Sequence, residues 1–168
     1  MDAHTAYISI GSNLGDKLEN CNRAMTELSR VDGTSITGRS HFYKTQPVDY
    51  ADQDWFINAA VKIKTHLDPL PLLDKLKNIQ HRAGRTHDPI RFGPRIIDLD
   101  IIFYDDAVIQ LPDLVVPHPR MHKRAFVLVP ICDIDSEIIH PVLKKDVRCL
   151  LDTLNDRAQG IELYRCFE

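Results

Sequence analysis

The stretch Arg91-Phe92-Gly93-Pro94-Arg95-Ile96-Ile97-Asp98-Leu99-Asp100-Ile101-Ile102-Phe103 most constrains the fold, because its second half has the apolar character of a buried strand yet carries two acids. Side chains alternate along a strand, so Ile97, Leu99, Ile101 and Phe103 are expected on one face and Asp98 and Asp100 together on the other. Residues two apart on a strand lie roughly 6.6 Å from each other, and at an effective dielectric of about 20 two like charges at that distance repel by roughly 2.5 kcal/mol.

Three things relieve such repulsion: protonation of one acid, neighbouring arginines, or a divalent cation held between the oxygens. Arg91 and Arg95 supply the second, and acids paired with flanking cations suggest the third together with a phosphate-bearing ligand. Taken alone, the Asp-x-Asp pair fits the plainer arrangement better, a solvated strand end neutralised by a salt bridge.

A chain of 168 residues is long enough for one domain, here taken as 1–168, that buries about 70% of its unfolded surface without disulfides or structural metal. At 43% hydrophobic and 27% charged, with formal net charge -3, it lacks the basic excess of a general nucleic-acid binder. Cys21, Cys132, Cys149 and Cys166 are widely spaced with no Cys-x-x-Cys, as free packing thiols in a reducing compartment would be. With no secretory pattern near Met1 and no membrane-length apolar run, the expected location is the cytoplasm, with no membrane partner.

Along the chain, Ala6 to Ile10 reads as a strand and Gly11-Ser12-Asn13-Leu14-Gly15 as a strand-to-helix turn lacking the ending of a P-loop. Asp16 can cap a helix whose Leu18, Cys21, Met25 and Leu28 form one buried stripe. Thr34 to Lys44 reads as an exposed or edge strand. After a polar loop, Ile57, Ala59, Val61 and Ile63 form an apolar strand face, which leaves Phe56 and Asn58 together on the other face. An aromatic plane beside an amide suits a flat heterocycle with donor and acceptor edges, although an unliganded strand end would look the same.

Asp68-Pro69 starts a second helix with Leu72, Leu73, Leu76 and Ile79 inward and Lys77 and Gln80 on its polar side, and Gly84 stops it. The connection from Gly84 to Arg95 gathers Arg85, His87, Arg91 and Arg95, with Arg82 just before it. A loop of about 12 residues is usually functional or disordered, and its basic character suggests a lid over an anionic substrate. Beyond the acidic strand, Asp105-Asp106 makes a turn and Val108-Ile109 a short return strand. His118, Arg120, His122 and Arg124 form a second basic cluster. Pro119 disfavours a helix through both histidines, so phosphate contact suits His118 and Arg124 better than zinc. Phe126 to Ile131 and the Val147, Leu150, Leu151, Leu154 spacing suggest C-terminal helices.

The element order is that of a ferredoxin-like α+β sandwich, a βαββαβ core on an antiparallel sheet with C-terminal helices added. Paired acids, arginines, a basic loop and an aromatic-plus-amide pocket point to metal-assisted transfer of a phosphoryl-type group from a nucleotide to a planar small molecule.

These residues resemble one family closely. The Arg91 to Ile102 stretch is similar to the signature of the 6-hydroxymethyl-7,8-dihydropterin pyrophosphokinases, and the similarity extends to Gly11-Ser12-Asn13-Leu14, Phe42-Tyr43-Lys44-Thr45, Phe56-Ile57-Asn58-Ala59-Ala60, Gly84-Arg85 and Pro117-His118-Pro119-Arg120. The resemblance implies transfer of the β,γ-pyrophosphoryl unit of ATP to the hydroxymethyl oxygen of the pterin, with release of AMP. Asp98 and Asp100 match two Mg²⁺ ligands, for two ions, and Arg85 and Arg95 match arginines that assist transfer. Thr45, Val48, Phe56, Asn58 and Phe126 match pterin contacts; Lys77, Gln80, His87, Phe92, Ile101, His118 and Arg124, with the two arginines, match ATP contacts. Gln80 stands where glutamate is common, His87 where arginine is, Phe92 where tryptophan can sit and Phe56 where tyrosine is familiar. The implied partners are ATP and the pterin alone, and a monomer is expected.

Two rivals remain at this stage. One is a ferredoxin-like module stacking RNA bases on strand aromatics, which the acidity and the paired carboxylates oppose. The other is a nucleotidyltransferase or phosphodiesterase built on the same acid pair.

Overall fold

From the N-terminus the chain runs through β1 (His4–Ser12), α1 (Lys17–Ser29), β2 (Thr34–Arg39), β3 (Phe42–Thr45), β4 (Phe56–Thr65), α2 (Pro69–Arg82) and β5 (Asp98–Tyr104). There follow β6 (Ile109–Gln110), β7 (Val115–Val116), a 3-10 turn at Met121–Lys123, α3 (Ala125–Asp135), α4 (Val147–Asp152) and β8 (Ile161–Arg165). This computed structural model describes residues 2–48, 51–84, 94–154 and 159–165.

The main sheet has the order β5-β1-β4-β3-β8, with β2 also paired to β4, and its strand pairs are antiparallel. One face is closed by α1 and α2. Asp16 caps α1 by accepting the Glu19 N–H at 3.1 Å, and Cys21, Ala24, Met25 and Leu28 then fall on the buried side. Pro69 opens α2 with its fixed φ, where a missing N–H costs nothing, and Leu72, Leu76 and Ile79 pack inward. They meet Ala6, Ile8, Ile10, Ala59, Val61, Ile63, Leu99 and Ile101 in the larger core.

The opposite face carries a second core, in which Val127, Leu128 and Ile131 of α3 and Val147 and Leu150 of α4 pack on Tyr7, Ala60, Ile102 and Phe103. The apolar character of α3 all around its circumference follows from this position between sheet and α4. Cys21, sealed in the larger core, has its thiol pushed by burial up to about 12, consistent with its reading as a packing residue.

Three expectations need correction, and one strand was not expected. Phe103 does not share a face with Leu99 and Ile101: Tyr7 pairs Phe103 while Ile8 pairs Ile101, so Ile102 is an extra residue in β5. This bulge puts both Ile102 and Phe103 in the second core and returns Tyr104 to the first. Thr34 to Lys44 is not one strand but β2 and β3, separated at Ser40 and His41. There the wholly buried Ser40 bonds to both polar groups of Ala60, its N–H donating to the Ala60 carbonyl at 3.0 Å and its Oγ accepting the Ala60 N–H at 2.8 Å.

The return strand expected at Val108-Ile109 falls one residue later, as β6, which pairs with β7 in a separate two-stranded sheet. Finally, β8 was not anticipated at all. It pairs with β3 at the sheet edge, where four of its five residues are exposed, so no alternation marks it.

Because the Ser40 hydroxyl occupies a place in the strand ladder, Ser40→Ala leaves a buried N–H without its acceptor and is expected to cost about 1–3 kcal/mol. Urea unfolding reads this directly, and an unchanged midpoint would show that the hydroxyl does not hold the β2–β3 break.

Candidate active site

The register of three adjacent strands, β5, β1 and β4, builds the floor of a pocket. Gly11 of β1 is paired with Asn58 of β4 on one side and with Asp98 of β5 on the other; one step along, Ser9 lies between Ala60 and Asp100. An amide and two carboxylates thus occupy one face across three strands, with strand spacing alone setting Asn58 and Asp98 roughly 10 Å apart at the backbone. Both acids line the same pocket, as strand alternation predicts.

Gly11 is required between them. A Cβ there would lie 2.7 Å from the Asn58 Oδ1 and 3.9 Å from the Phe56 ring. Asn58 is 4% exposed and donates to the Thr45 Oγ1, itself 2% exposed, so its amide is held across Gly11 with a defined orientation. Phe56 and Thr45 are cross-strand partners at the end of the β3–β4 ladder. Phe126, at the start of α3, lines the pocket with them, together with Val48, Gln46, Pro47 and Gln53.

The other end of the pocket is charged. Arg95 donates from Nη1 to the Asp98 Oδ2 at 3.2 Å, and Asp100, His118 and Arg124 line the same space. The Arg124 guanidinium lies 5.4 Å from the Phe126 ring centre, within cation–π range. The backbone N–H of His118 donates to the Ile102 carbonyl at 3.0 Å, which ties this segment to β5.

Burial, reinforced by the Arg124 charge, pushes the His118 imidazole down to about 4, against a smaller opposing pull from Asp98. Its Nδ1 accepts the Arg120 N–H at 3.2 Å, so at neutral pH the ring is uncharged and carries its proton on Nε2. His122, the other histidine of this cluster, instead packs its ring 6.4 Å from that of His140.

Asn13 has a role that the glycine-bounded turn did not suggest. Its N–H donates to the Arg95 carbonyl at 3.0 Å, its Oδ1 accepts the Arg95 N–H at 2.7 Å, and its Nδ2 donates to the Gln53 Oε1 at 2.8 Å. One side chain thereby joins the approach to β5 with the loop before β4. That loop is also fixed from α1: Lys17 bonds to Asp54 at 2.7 Å and lies 3.4 Å over the Trp55 ring, and this hydrogen bond holds the Asp54 carboxyl below its ordinary value. Nothing local in the sequence marks these ties, because each joins residues far apart in the chain.

Of the sequence-derived candidates, Thr45, Val48, Phe56, Asn58, Arg95, Asp98, Asp100, His118, Arg124 and Phe126 line this one pocket. Lys77 and Gln80 do not; both sit on α2, where Lys77 is exposed, whereas Gln80, expected on the polar side, is buried and accepts the Leu99 N–H at 2.9 Å. The Ile101 side chain belongs to the larger core. Arg85, His87, Phe92 and the rest of the basic loop through Gly93 lie outside the described residues.

Among the described residues no three His, Cys, Asp or Glu side chains converge into an all-protein metal cage. Two carboxylates on one strand suit Mg²⁺ nonetheless, because that ion keeps several waters and takes its remaining ligands from substrate phosphates.

A family model for 7,8-dihydro-6-hydroxymethylpterin-pyrophosphokinase (HPPK) matches residues 7–136. The 2-amino-4-hydroxy-6-hydroxymethyldihydropteridine pyrophosphokinase of Haemophilus influenzae is 42% identical over 137 residues, covering 82% of this chain and 85% of that protein. Folic acid synthesis protein fol1 of Schizosaccharomyces pombe is 37% identical over 163 residues, covering 97% of this chain but 22% of that protein. Among solved structures, a Plasmodium falciparum HPPK-DHPS superposes with a TM-score of 0.73 at 19% identity, over 92% of this chain and 45% of that one, a likeness of fold. The mixed α/β architecture of this chain, on an antiparallel sheet, is thus shared with that structure. Extended identity, a family match across most of the chain and a shared fold lead to one conclusion: this chain belongs to the 7,8-dihydro-6-hydroxymethylpterin-pyrophosphokinase family.

Proposed function

We propose that this chain transfers the β,γ-pyrophosphoryl group of ATP to 6-hydroxymethyl-7,8-dihydropterin in folate synthesis. The observation that carries this reading is that the slot of Phe56, Phe126, Thr45 and Asn58 opens into the same pocket as Asp98 and Asp100. A planar acceptor and a polyphosphate donor can therefore meet inside one cavity, which is the principal requirement of a reaction governed by alignment and electrostatics.

The hydroxymethyl oxygen forms a bond to the β-phosphorus, the bond between that phosphorus and the bridging oxygen to the α-phosphorus breaks, and AMP leaves with the electron pair. The hydroxyl proton is lost to water or a phosphate oxygen. Phe56 and Phe126 would sandwich the ring, Asn58 and Thr45 would read its polar edge and Val48 would cover it. Arg95 and Arg124 would offset charge on the phosphates, and His118 would offer them a neutral Nε2–H. Asp98 and Asp100 would hold Mg²⁺, two ions in our reading, which when bound neutralises charge building on the phosphate oxygens.

Lys77, Gln80 and Ile101 belong to the nucleotide end in this scheme, as do Arg85, His87 and Phe92, with Arg85 assisting transfer. The finer fold assignment is ferredoxin-like: β5, β1 and β4 keep the order of that fold, and β2 and β3 share its fourth strand position beside β4. We further infer a single pyrophosphokinase unit over 1–168 that acts as a monomer in the cytoplasm. No helix among the described residues is long and apolar enough to cross a membrane.

Incubated with ATP, Mg²⁺ and hydroxymethyldihydropterin, the protein is expected to yield AMP and the pterin diphosphate. ADP, or pyrophosphate with an adenylylated product, would sink this reading in favour of another transferase, and salt-sensitive RNA binding without turnover would favour the nucleic-acid module. Asp98→Asn and Asp100→Asn are each expected to lower kcat by about 10²–10³-fold, the scale of losing one charge-stabilising group, with thermal unfolding close to wild type. Gly11→Ala should push the Asn58 amide aside and raise the pterin KM by about tenfold, one lost hydrogen bond or so, while sparing the ATP KM. Equal changes in both constants would show that Asn58 does not read the pterin.

A further inference from the structure

The segment Gln159–Arg165 lies beyond the 7–136 span that the family model matches, and Gln159 itself does not line the pocket, yet this segment touches both walls of it. On one side, β8 pairs with β3, setting Ile161 opposite Thr45, and the Gln46 N–H donates to the Gly160 carbonyl at 3.1 Å. Gly160 adopts φ +55, and a Cβ there would come within 2.6 Å of the Gln46 Cγ. The strand end can therefore press against the Thr45–Val48 wall only because a glycine occupies that position.

On the other side stands the start of α3. Its first N–H, that of Ala125, has no acceptor within the helix and needs a partner from elsewhere. Gln159 supplies it: its Oε1 accepts the Ala125 N–H at 2.7 Å while its Nε2 donates to the Lys123 carbonyl at 3.1 Å. The two backbone groups that bracket Arg124 are thus bound to one amide, and Phe126 is the next residue along.

We propose that residues 159–161 are a strap joining the two walls of the aromatic slot, and that Gln159 is a positioning residue that sets the placement of Phe126 against Phe56. The proposal rests on the reading of this slot as the pterin site. With that helix start met only by water, Phe126 would be placed by its packing on the second core alone, whereas an amide bonded at both ends also fixes it relative to the same strand that fixes Thr45 and Gln46. Because Gln159 does not line the pocket, its contribution should appear as pterin affinity and not as chemistry.

The test uses the full chain, with wild type, Gln159→Ala and Gln159→Glu compared by steady-state kinetics and by equilibrium binding of 6-hydroxymethylpterin beside a non-hydrolysable ATP analogue. Gln159→Ala is expected to raise the pterin KM and Kd by about five- to tenfold, with kcat at saturation within about twofold of wild type. Gln159→Glu keeps the length and the acceptor for the Ala125 N–H, so it should recover part of that loss. Active wild type with a pterin KM unchanged in Gln159→Ala, a loss confined to kcat, or a Glu variant no better than Ala would overturn the strap. Should Gln159→Ala fail to fold, the Glu variant decides, by showing a raised pterin KM or not. Wild type that neither binds the pterin nor turns it over would remove the underlying reading together with the strap.

Discussion

The pairing of β1 with β4 and β5 is the constraint on which the site depends. Its antiparallel register places Gly11 between Asn58 and Asp98, so groups far apart in sequence share one row. A slip by one residue would turn Asn58 or the acids toward α1 and α2, because side-chain direction reverses at every step. What holds the register is the larger core: Ala6, Ile8 and Ile10 alternate with Tyr7, Ser9 and Gly11 on the other face of β1, and each of the three is fully buried. The chemistry is therefore located by residues that never touch it.

That dependence also explains why polar groups can collect on a sheet face otherwise used for packing. The cover formed by α3 and α4 reaches Tyr7, Ala60, Ile102 and Phe103, and the strand ends bearing Asn58, Gly11, Asp98 and Asp100 line the pocket beside it. Loops complete the walls, and the ties from Asn13 and Lys17 hold those loops to the scaffold. A site of this type gains its precision from regular elements and its selectivity from the connections between them.

Much of this was legible from residue order. The shared face of Asp98 and Asp100 and the pairing of Phe56 with Asn58 follow from two-residue periodicity, and the stripe of Cys21, Met25 and Leu28 from helical spacing. What periodicity could not reveal was any departure from regularity. The extra residue in β5 looks like one more apolar position in an apolar run, and Ser40 looks like an ordinary strand serine until its hydroxyl is seen in the ladder. β8 lacks an alternating pattern because it packs at an exposed edge, and the roles of Asn13 and Gln159 reside in long-range hydrogen bonds that leave no local trace.

The β5 bulge has a consequence for how the two ends of the charged region are measured against each other. An extra residue in a strand departs from the regular ladder, and here the Ile102 carbonyl accepts the His118 N–H. Asp98, Asp100 and the anchor point of His118 are consequently marks on a single ruler, two residues apart at each step. Any tilt of β5 in its sheet carries carboxylates and imidazole together, so the spacing that a polyphosphate would meet is a property of one strand and is insulated from movements between layers.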